Sequence, residues 1–325
     1  MKVVVIGATG HVGSYLVPRL VRAGHRVTAV TRGTSEPYHQ DPAWQHVTRV
    51  TLDRDQGDAD GTFGPAIADL GADAVIDMVC FTPDSAQKLV DALRGTGAVL
   101  LHCGTIWVHG PATVVPITED APRTPFGEYG TQKAAIEELL LAETRRGGVR
   151  SVILHPGHIT GPGWEMINPQ GNLDLGVWEA LAAGSPVVLP NLGLETLHHV
   201  HADDVAQGFE RALARHAVAA GQSFHLVSER AVTLRGLAEG IASWYGQEAS
   251  LRFVPLASLG EHTTPEHAEA TTAHVSRSHS CSIDRAREVL GYQPRFTSLE
   301  AIEDGLAWLA AAGRVPAPAL ASASA

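Results

Sequence analysis

A chain of 325 residues, 44 % hydrophobic and 18 % charged, carries enough apolar material for one two-lobed unit or two small domains. Thirty-five acids against 24 bases give a formal charge of −11 with no basic block, which argues against nucleic acid or an anionic membrane surface as a partner. Met1-Lys2 runs straight into Val3-Val4-Val5-Ile6 with glycines close behind, and no apolar run nears the roughly 20 residues of a membrane span, so neither a secretory leader nor an anchor is expected.

The first half alternates short apolar runs with longer amphipathic stretches, the trace of βαβ units and a parallel sheet. Strands are predicted at Lys2–Ile6, Arg26–Thr31, Ala74–Met78, Val99–Cys103 and Ser151–His155, with helices at Val12–Ala23, Ser85–Leu93 and Tyr129–Arg145. Pro156-Gly157 and Gly161-Pro162-Gly163 break the alternation and open a loop-rich region through about Glu195. A strand at His198–His201 then leads through Ala202-Asp203-Asp204 into an amphipathic helix, and another strand follows at Ser223–Val227. Residues 314–325, rich in Pro, Ala and Ser, are expected to be a disordered tail. The cysteines Cys80, Cys103 and Cys281 are odd in number and scattered, which fits reduced thiols in a cytoplasm.

Gly7-Ala8-Thr9-Gly10-His11-Val12-Gly13 stands directly between the first strand and the first helix. In that context a glycine triplet has a specific physical reading. Gly7 permits a tight turn, Gly10 lets backbone approach a pyrophosphate, and Gly13 lets helix pack on strand, while the helix start supplies N–H donors and a positive dipole end. The expected fold is therefore a Rossmann doubly wound parallel sheet over residues 1–160, to which 197–228 return. A smaller C-terminal α/β part, from 161–196 and 229–313, would bind the substrate.

The end of the second strand distinguishes NAD from NADP. An acid there would bind the ribose 2′-hydroxyl, whereas Val30-Thr31-Arg32 offers a guanidinium suited to a 2′-phosphate. NADP is the preferred cofactor on this reading and NAD the alternative. The expected cofactor contacts are Gly7, Thr9, Gly10, His11, Val12 and Gly13 in the turn, Arg32, and Asp53 on the adenine side; Arg54, Lys133 and Pro156 complete the set.

Tyr129 and Lys133 lie four apart at a helix start and so share a face, in a chain with only three lysines and five tyrosines. The pairing suits proton transfer, because a phenol is a poor base at neutral pH until an adjacent ammonium stabilises the phenolate.

With these motifs the chain resembles the extended short-chain dehydrogenase/reductase family, the group of nucleotide-sugar epimerases and dehydratases. The resemblance rests on the glycine turn, Tyr129-xxx-Lys133, and Cys103-Gly104-Thr105-Ile106-Trp107-Val108-His109-Gly110. It extends through Pro156-Gly157, Gly161-Pro162-Gly163, Val200-His201-Ala202-Asp203-Asp204-Val205-Ala206 and the segment from Asp284 to Pro294, nearly the whole chain. It implies that Thr105, 24 residues before Tyr129, bonds the substrate oxygen that Tyr129 protonates or deprotonates while a hydride passes to or from nicotinamide. It also implies a homodimer formed through two core helices.

Three departures from the family pattern limit the substrate. Ile106 and Trp107 replace the acid pair of 4,6-dehydratases and cannot transfer protons. Glu195-Thr196-Leu197-His198-His199 stands where many epimerases carry a diphosphate-gripping arginine, with Arg277 as a substitute that sequence alone does not place. His109 replaces a tyrosine and is a rival proton carrier, since imidazole titrates near neutrality. His109, His158, Trp164 and Asn168 are the expected substrate contacts. His199 and His201 would share one face of a strand, yet no third ligand has convincing spacing, so no metal is expected.

The leading expectation is NAD(P)-dependent epimerisation of a sugar nucleotide or similar polyol. An NADP-dependent ketone or aldehyde reductase is the alternative, and a cofactor-sensing binding protein is the non-enzymatic one.

Overall fold

The computed structural model describes residues 1–318. Its centre is a parallel sheet of seven strands: β1 (Lys2–Ile6), β2 (Arg26–Thr31), β3 (Thr48–Thr51), β4 (Ala74–Asp77), β5 (Val99–Cys103), β6 (Ser151–Pro156) and β11 (Ser223–Leu226). Their order across the sheet is β11-β6-β5-β4-β1-β2-β3. Strands covered on both faces must be apolar on both, which is why β1, β4, β5 and β6 read as continuous hydrophobic runs. Along β1 the alternation still sorts side chains. Val3 and Val5 enter one core with α1 (His11–Arg22) and α7 (Ala202–Ala214). Val4 and Ile6 enter the other with α3 (Phe63–Asp69), α4 (Pro83–Leu93) and α5 (Glu128–Arg145). Chain order reverses between β1 and β4, and crevices for ligands form at the carboxyl ends of strands at such a switch point.

The predicted elements recur within a residue or two, the ordinary uncertainty of element ends. Strand β3 has no counterpart among the predicted strands, because Thr48-Arg49-Val50-Thr51 is polar and largely exposed, as suits an edge. Short α2 (Arg54–Asp60) follows it. The stretch expected to be loop is more structured than its glycines and prolines suggest. Strand β7 (His158–Thr160) pairs with β10 (His199–His201), and β9 (Thr196–Leu197) with β12 (Val232–Thr233). Helix α6 (Leu175–Ala182), capped by Asp174, and β8 (Val187–Pro190), paired with β13 (Leu251–Val254), fold against α9 (Leu234–Trp244) and α11 (Ser298–Ala311). Trp178, Leu189, Leu237, Ile241 and Leu306 form this second core. Helix α10 (Pro265–Val275) lies beside it. Short α8 (His216–Ala219) joins α7 to β11.

The expected disorder from Arg314 onward is corrected at its start. Val315 is buried in the second core, Tyr245 donates to the Pro316 carbonyl at 2.8 Å, and Arg314 pairs with Glu165 at 2.6 Å. Composition carried no trace of these long-range partners. Residues 319–325, the rest of that expected tail, lie outside the described residues. Among the described residues no helix is long and apolar enough to cross a membrane.

Candidate active site

The chain leaves β1 through Gly7, whose φ of +81° only glycine adopts without strain. A Cβ there would meet Val79 at 2.7 Å, and one on Gly13 would lie 2.3 Å from the Ala8 carbonyl oxygen. Gly10 caps α1 without a side chain, and the first turn holds no acid, so the N–H groups of the helix start remain available to an anion. From this turn a cleft of about 390 Å³ runs past the ends of β2 and β4, with Arg32, Ser35, Tyr38, Phe81 and Trp164 on its walls.

Arg32 is exposed on that wall beside Thr31, Thr34 and Ser35, and among the described residues no carboxylate pairs with it. Arg54 also lines the cleft, but its charge is committed: it is buried, its Nη1 donates to both carboxylate oxygens of Asp77 at 2.7 and 2.8 Å, and its Nε donates to Ser85 at 2.7 Å. Asp53 is not brought to the cleft. It caps α2, accepting from the Gln56 N–H at 3.0 Å, and the cleft is lined by Asp55 instead. His11 begins α1 with Nε2 3.1 Å from the Pro162 carbonyl, and burial pulls it down to about 4, so it is neutral and donates. Trp164 stacks on it at 5.9 Å between centroids, half-exposed over the glycine turn. Thr9 faces Ser35 at 3.2 Å, Val12 is core, and Pro156 ends β6.

At the next strand end, Thr105 follows β5 and Tyr129 and Lys133 lie on the first turns of α5. The Thr105 hydroxyl accepts from the Trp107 N–H at 3.3 Å and neighbours the Tyr129 phenol. Tyr129 is 42 % exposed as a residue, and desolvation of its phenol among the surrounding groups pushes it up to about 12. Tyr129 is therefore protonated at neutral pH. Lys133 is 2 % exposed; its Nζ donates to the carbonyls of Cys80 and Cys103, both at 2.8 Å, and lies 5.8 Å from the Tyr129 ring centroid. Two backbone bonds fix the ammonium and leave one N–H uncommitted.

Tyr129 lines a second depression of about 450 Å³ with Trp107, Phe126, Thr272 and Arg277, and its ring lies 6.5 Å from that of Phe81 on the wall of the first cleft. The Arg277 guanidinium lies 3.7 Å from the Trp107 ring centroid and 3.8 Å from that of Phe126, and donates to the Phe126 and Ala273 carbonyls. Burial lowers it to about 10, still charged at neutrality.

A phosphate turn at the switch point and a Thr-Tyr-Lys set at the adjoining strand end match one known group. The family described as NAD dependent epimerase/dehydratase matches residues 3–226. The chain belongs to that family. A 2′-dehydrokanamycin reductase of Streptomyces kanamyceticus is 30 % identical over 320 residues, 97 % of this chain and 86 % of that one. A UDP-glucose 4-epimerase of Mycolicibacterium smegmatis is 26 % identical over 93 % of this chain and 96 % of its own. The structure of UDP-glucuronic acid 4-epimerase from Bacillus cereus, solved with UDP-glucuronic acid and NAD, superposes with a TM-score of 0.73. It covers 96 % of this chain and 100 % of that one, and at 16 % identity it shows the shared fold.

Within this epimerase/dehydratase-family chain the expected substrate contacts separate. Trp164 reaches the cleft. His109 does not: the turn Ile106–His109 directs it inward, where it is 3 % exposed, 2.8 Å from His225, and pulled down to about 3 by burial. Trp107 faces the depression in its place. Asn168 is fully buried and spends its amide within its own loop, on Asn172, Asp174 and Gln170. His158 begins β7 with both ring nitrogens buried and unpartnered, 5.6 Å from His199 and 5.3 Å from His274 between ring centroids. His199 bonds the Ile167 carbonyl and His201 meets Asp304 at 3.1 Å, so the two do not converge. Sequence reading missed Phe81, Tyr38 and Phe126. Phe81 was within reach, since it closely follows β4 at the end where ligands bind.

Proposed function

We propose that the chain transfers a hydride between a nicotinamide dinucleotide and a secondary carbinol carbon of a polyol-like small molecule, a sugar nucleotide or related glycoside. Epimerisation results when the hydride returns to the opposite face. The observation that carries this reading is the convergence of Thr105, Tyr129 and the buried Lys133 Nζ at one strand end, one strand from the glycine turn. When bound, the dinucleotide supplies the hydride acceptor and donor. Its phosphates fit the free N–H groups at the start of α1, and Arg32 with its neighbouring hydroxyls supports NADP. Thr105 and Tyr129 would together bond the substrate oxygen, Tyr129 taking the hydroxyl proton on oxidation and returning it on reduction. Lys133 lowers the cost of the phenolate that forms in between.

A second reading, one-way reduction of a ketone or aldehyde with NADPH, is favoured by Arg277. Both its terminal nitrogens are bonded to carbonyls, which weakens it as a clamp for a substrate diphosphate. The Streptomyces kanamyceticus relative is by name a reductase. A purely cofactor-sensing role is disfavoured by the complete Thr-Tyr-Lys set. Identifying the nucleotide that co-purifies, and its redox state, separates these readings. Tightly retained cofactor with epimer formed and no net turnover of nicotinamide indicates an epimerase; stoichiometric NADPH consumption indicates a reductase; failure to bind either dinucleotide in calorimetry defeats both.

A cytoplasmic location is supported by three buried, unpaired cysteines. A homodimer rests on the family resemblance, and light scattering on the eluting chain tests it.

A further inference from the structure

Behind the catalytic segment, on the side of the sheet covered by α5, three imidazoles meet. Strands β6 and β11 pair in parallel with His155 opposite His225, so the two rings stand side by side on one face. His109 closes over them from the turn that follows Thr105. All three are buried, at 0, 0 and 3 % exposure, and one nitrogen from each lies within 4.8 Å of the other two. We propose that His109, His155 and His225 form a binding site for a divalent transition-metal ion of the zinc class, structural rather than reactive.

The hydrogen bonds around the rings decide between an ion and a proton as the shared occupant. His225 Nδ1 lies 3.0 Å from the Ser282 carbonyl, so it donates there and its Nε2 turns a lone pair to the centre. An outer hydrogen bond of that kind is how a metal-bound histidine is oriented. A proton on His109 Nε2 would account for its 2.8 Å approach to His225 Nε2 without any ion. It would leave His155 unexplained. Neither nitrogen of that ring makes a well-directed hydrogen bond, and Glu137, whose carboxylate is held by Arg123, stands 3.4 Å from Nε2 and pairs with it only if the ring is protonated. A buried polar group left so costs about 1–3 kcal/mol unless something else binds it.

Three neutral imidazoles without a thiolate suit zinc, cobalt(II), nickel or copper, and not magnesium or calcium. Bonds of about 2.0–2.1 Å in a tetrahedron set nitrogens about 3.3 Å apart, so the His109–His225 pair would open slightly and His155 close in. Glu137 is the fourth group within reach. Arg123, 3.5 Å from His109 Nδ1, opposes a cation, and the buried carboxylates of Glu137 and Glu119 offset it. The site touches the catalytic segment, since a Cβ on Gly104 would lie 2.5 Å from His155 Cδ2. A bound ion would thus stiffen the backbone that presents Thr105.

The test uses the untagged full chain, stripped with a chelator and titrated with cobalt(II) while visible absorption is followed. One equivalent should give the intense bands of tetrahedral cobalt, and zinc should displace them. His155→Gln and His225→Gln should each abolish those bands, whereas His262→Gln, an exposed histidine outside the cluster, should keep them. Wild type binding no more cobalt than His155→Gln, or bands that survive in that variant, would overturn the site. Should both variants fail to fold, the wild-type Tm decides. A rise that saturates at one equivalent of zinc supports the proposal, and an unchanged Tm rejects it.

Discussion

Around the glycine turn, about half of the cleft comes from two nearby segments, Ile6–Gly10 and Val30–Ser35, whose backbone and hydroxyls face it beside Tyr38, Phe63, Phe81 and Trp164. The second depression is walled from distant segments: Trp107 from the turn Ile106–His109, Phe126 from the loop before α5, Thr272 from α10, and Arg277 beyond it. The contrast follows from what each half must recognise. Phosphates are common to every dinucleotide and are held by N–H groups at a helix start, a geometry a short local sequence can encode. A substrate is recognised by shape and by a few placed donors, which only tertiary packing can bring together.

The sharpest way to break this comparison is at its boundary. Tyr129→Phe removes one hydroxyl and keeps the ring against Trp107, so turnover should fall about 10²–10⁴-fold with dinucleotide affinity intact. Lys133→Met should damage both, because its ammonium holds the carbonyls of Cys103, the last residue of β5, and of Cys80, three residues past β4. Near-normal turnover in Tyr129→Phe, with loss in His109→Ala, would move the chemistry to the buried histidine and defeat the assignment.

Arg32→Ala tests the dinucleotide half alone. Losing one charge-assisted phosphate contact is worth on the order of 1.5–3 kcal/mol, roughly a 10- to 150-fold drop in affinity. Calorimetry should show that drop for NADPH and little change for NADH. Equal weakening of both would mean that Arg32 is a solvated loop residue. Arg277→Met tests the other half; it keeps bulk against Trp107 and Phe126 and should raise KM by about tenfold with dinucleotide affinity unchanged, the cost of one lost hydrogen bond to a charged group.

What could be read from the sequence follows the same division. The glycine turn, the strands flanking it and the Tyr129-Lys133 pair are local patterns, and the structure brings Thr105 to that pair. Asp53 misled because a cap and a ligand contact use the same residue type at nearly the same place; which one forms depends on where α2 begins. His109 misled for a different reason. A one-residue difference around the turn Ile106–His109 decides which side chain faces the depression and which goes beneath the sheet, and no linear spacing records that. The triad of His109, His155 and His225 was hidden likewise, since its members come from three separate elements and carry no metal-ligand spacing.

The smallest expected effect concerns the histidines themselves, which crowd the substrate-facing half. Burial holds His198 at about 3, and His199 and His279 at about 4, against an ordinary 6.5. A folded value below the unfolded one means that the unfolded chain takes up protons first. Stability is therefore complete above about pH 6.5 and is lost as pH falls toward 4. Between pH 7.5 and 5.5 each such imidazole should cost about 1.4 kcal/mol, one proton's worth over the interval below its unfolded value. His199→Gln should flatten the pH dependence of urea unfolding by that amount, whatever it does to absolute stability. Amide exchange at pH 5.5 should open β7 and β10 before β1 and β4, because the latter pack against few titrating groups. Identical slopes in wild type and variant would show that His199 takes up its proton alike in the folded and unfolded chain, and that the acid sensitivity of the two halves does not differ.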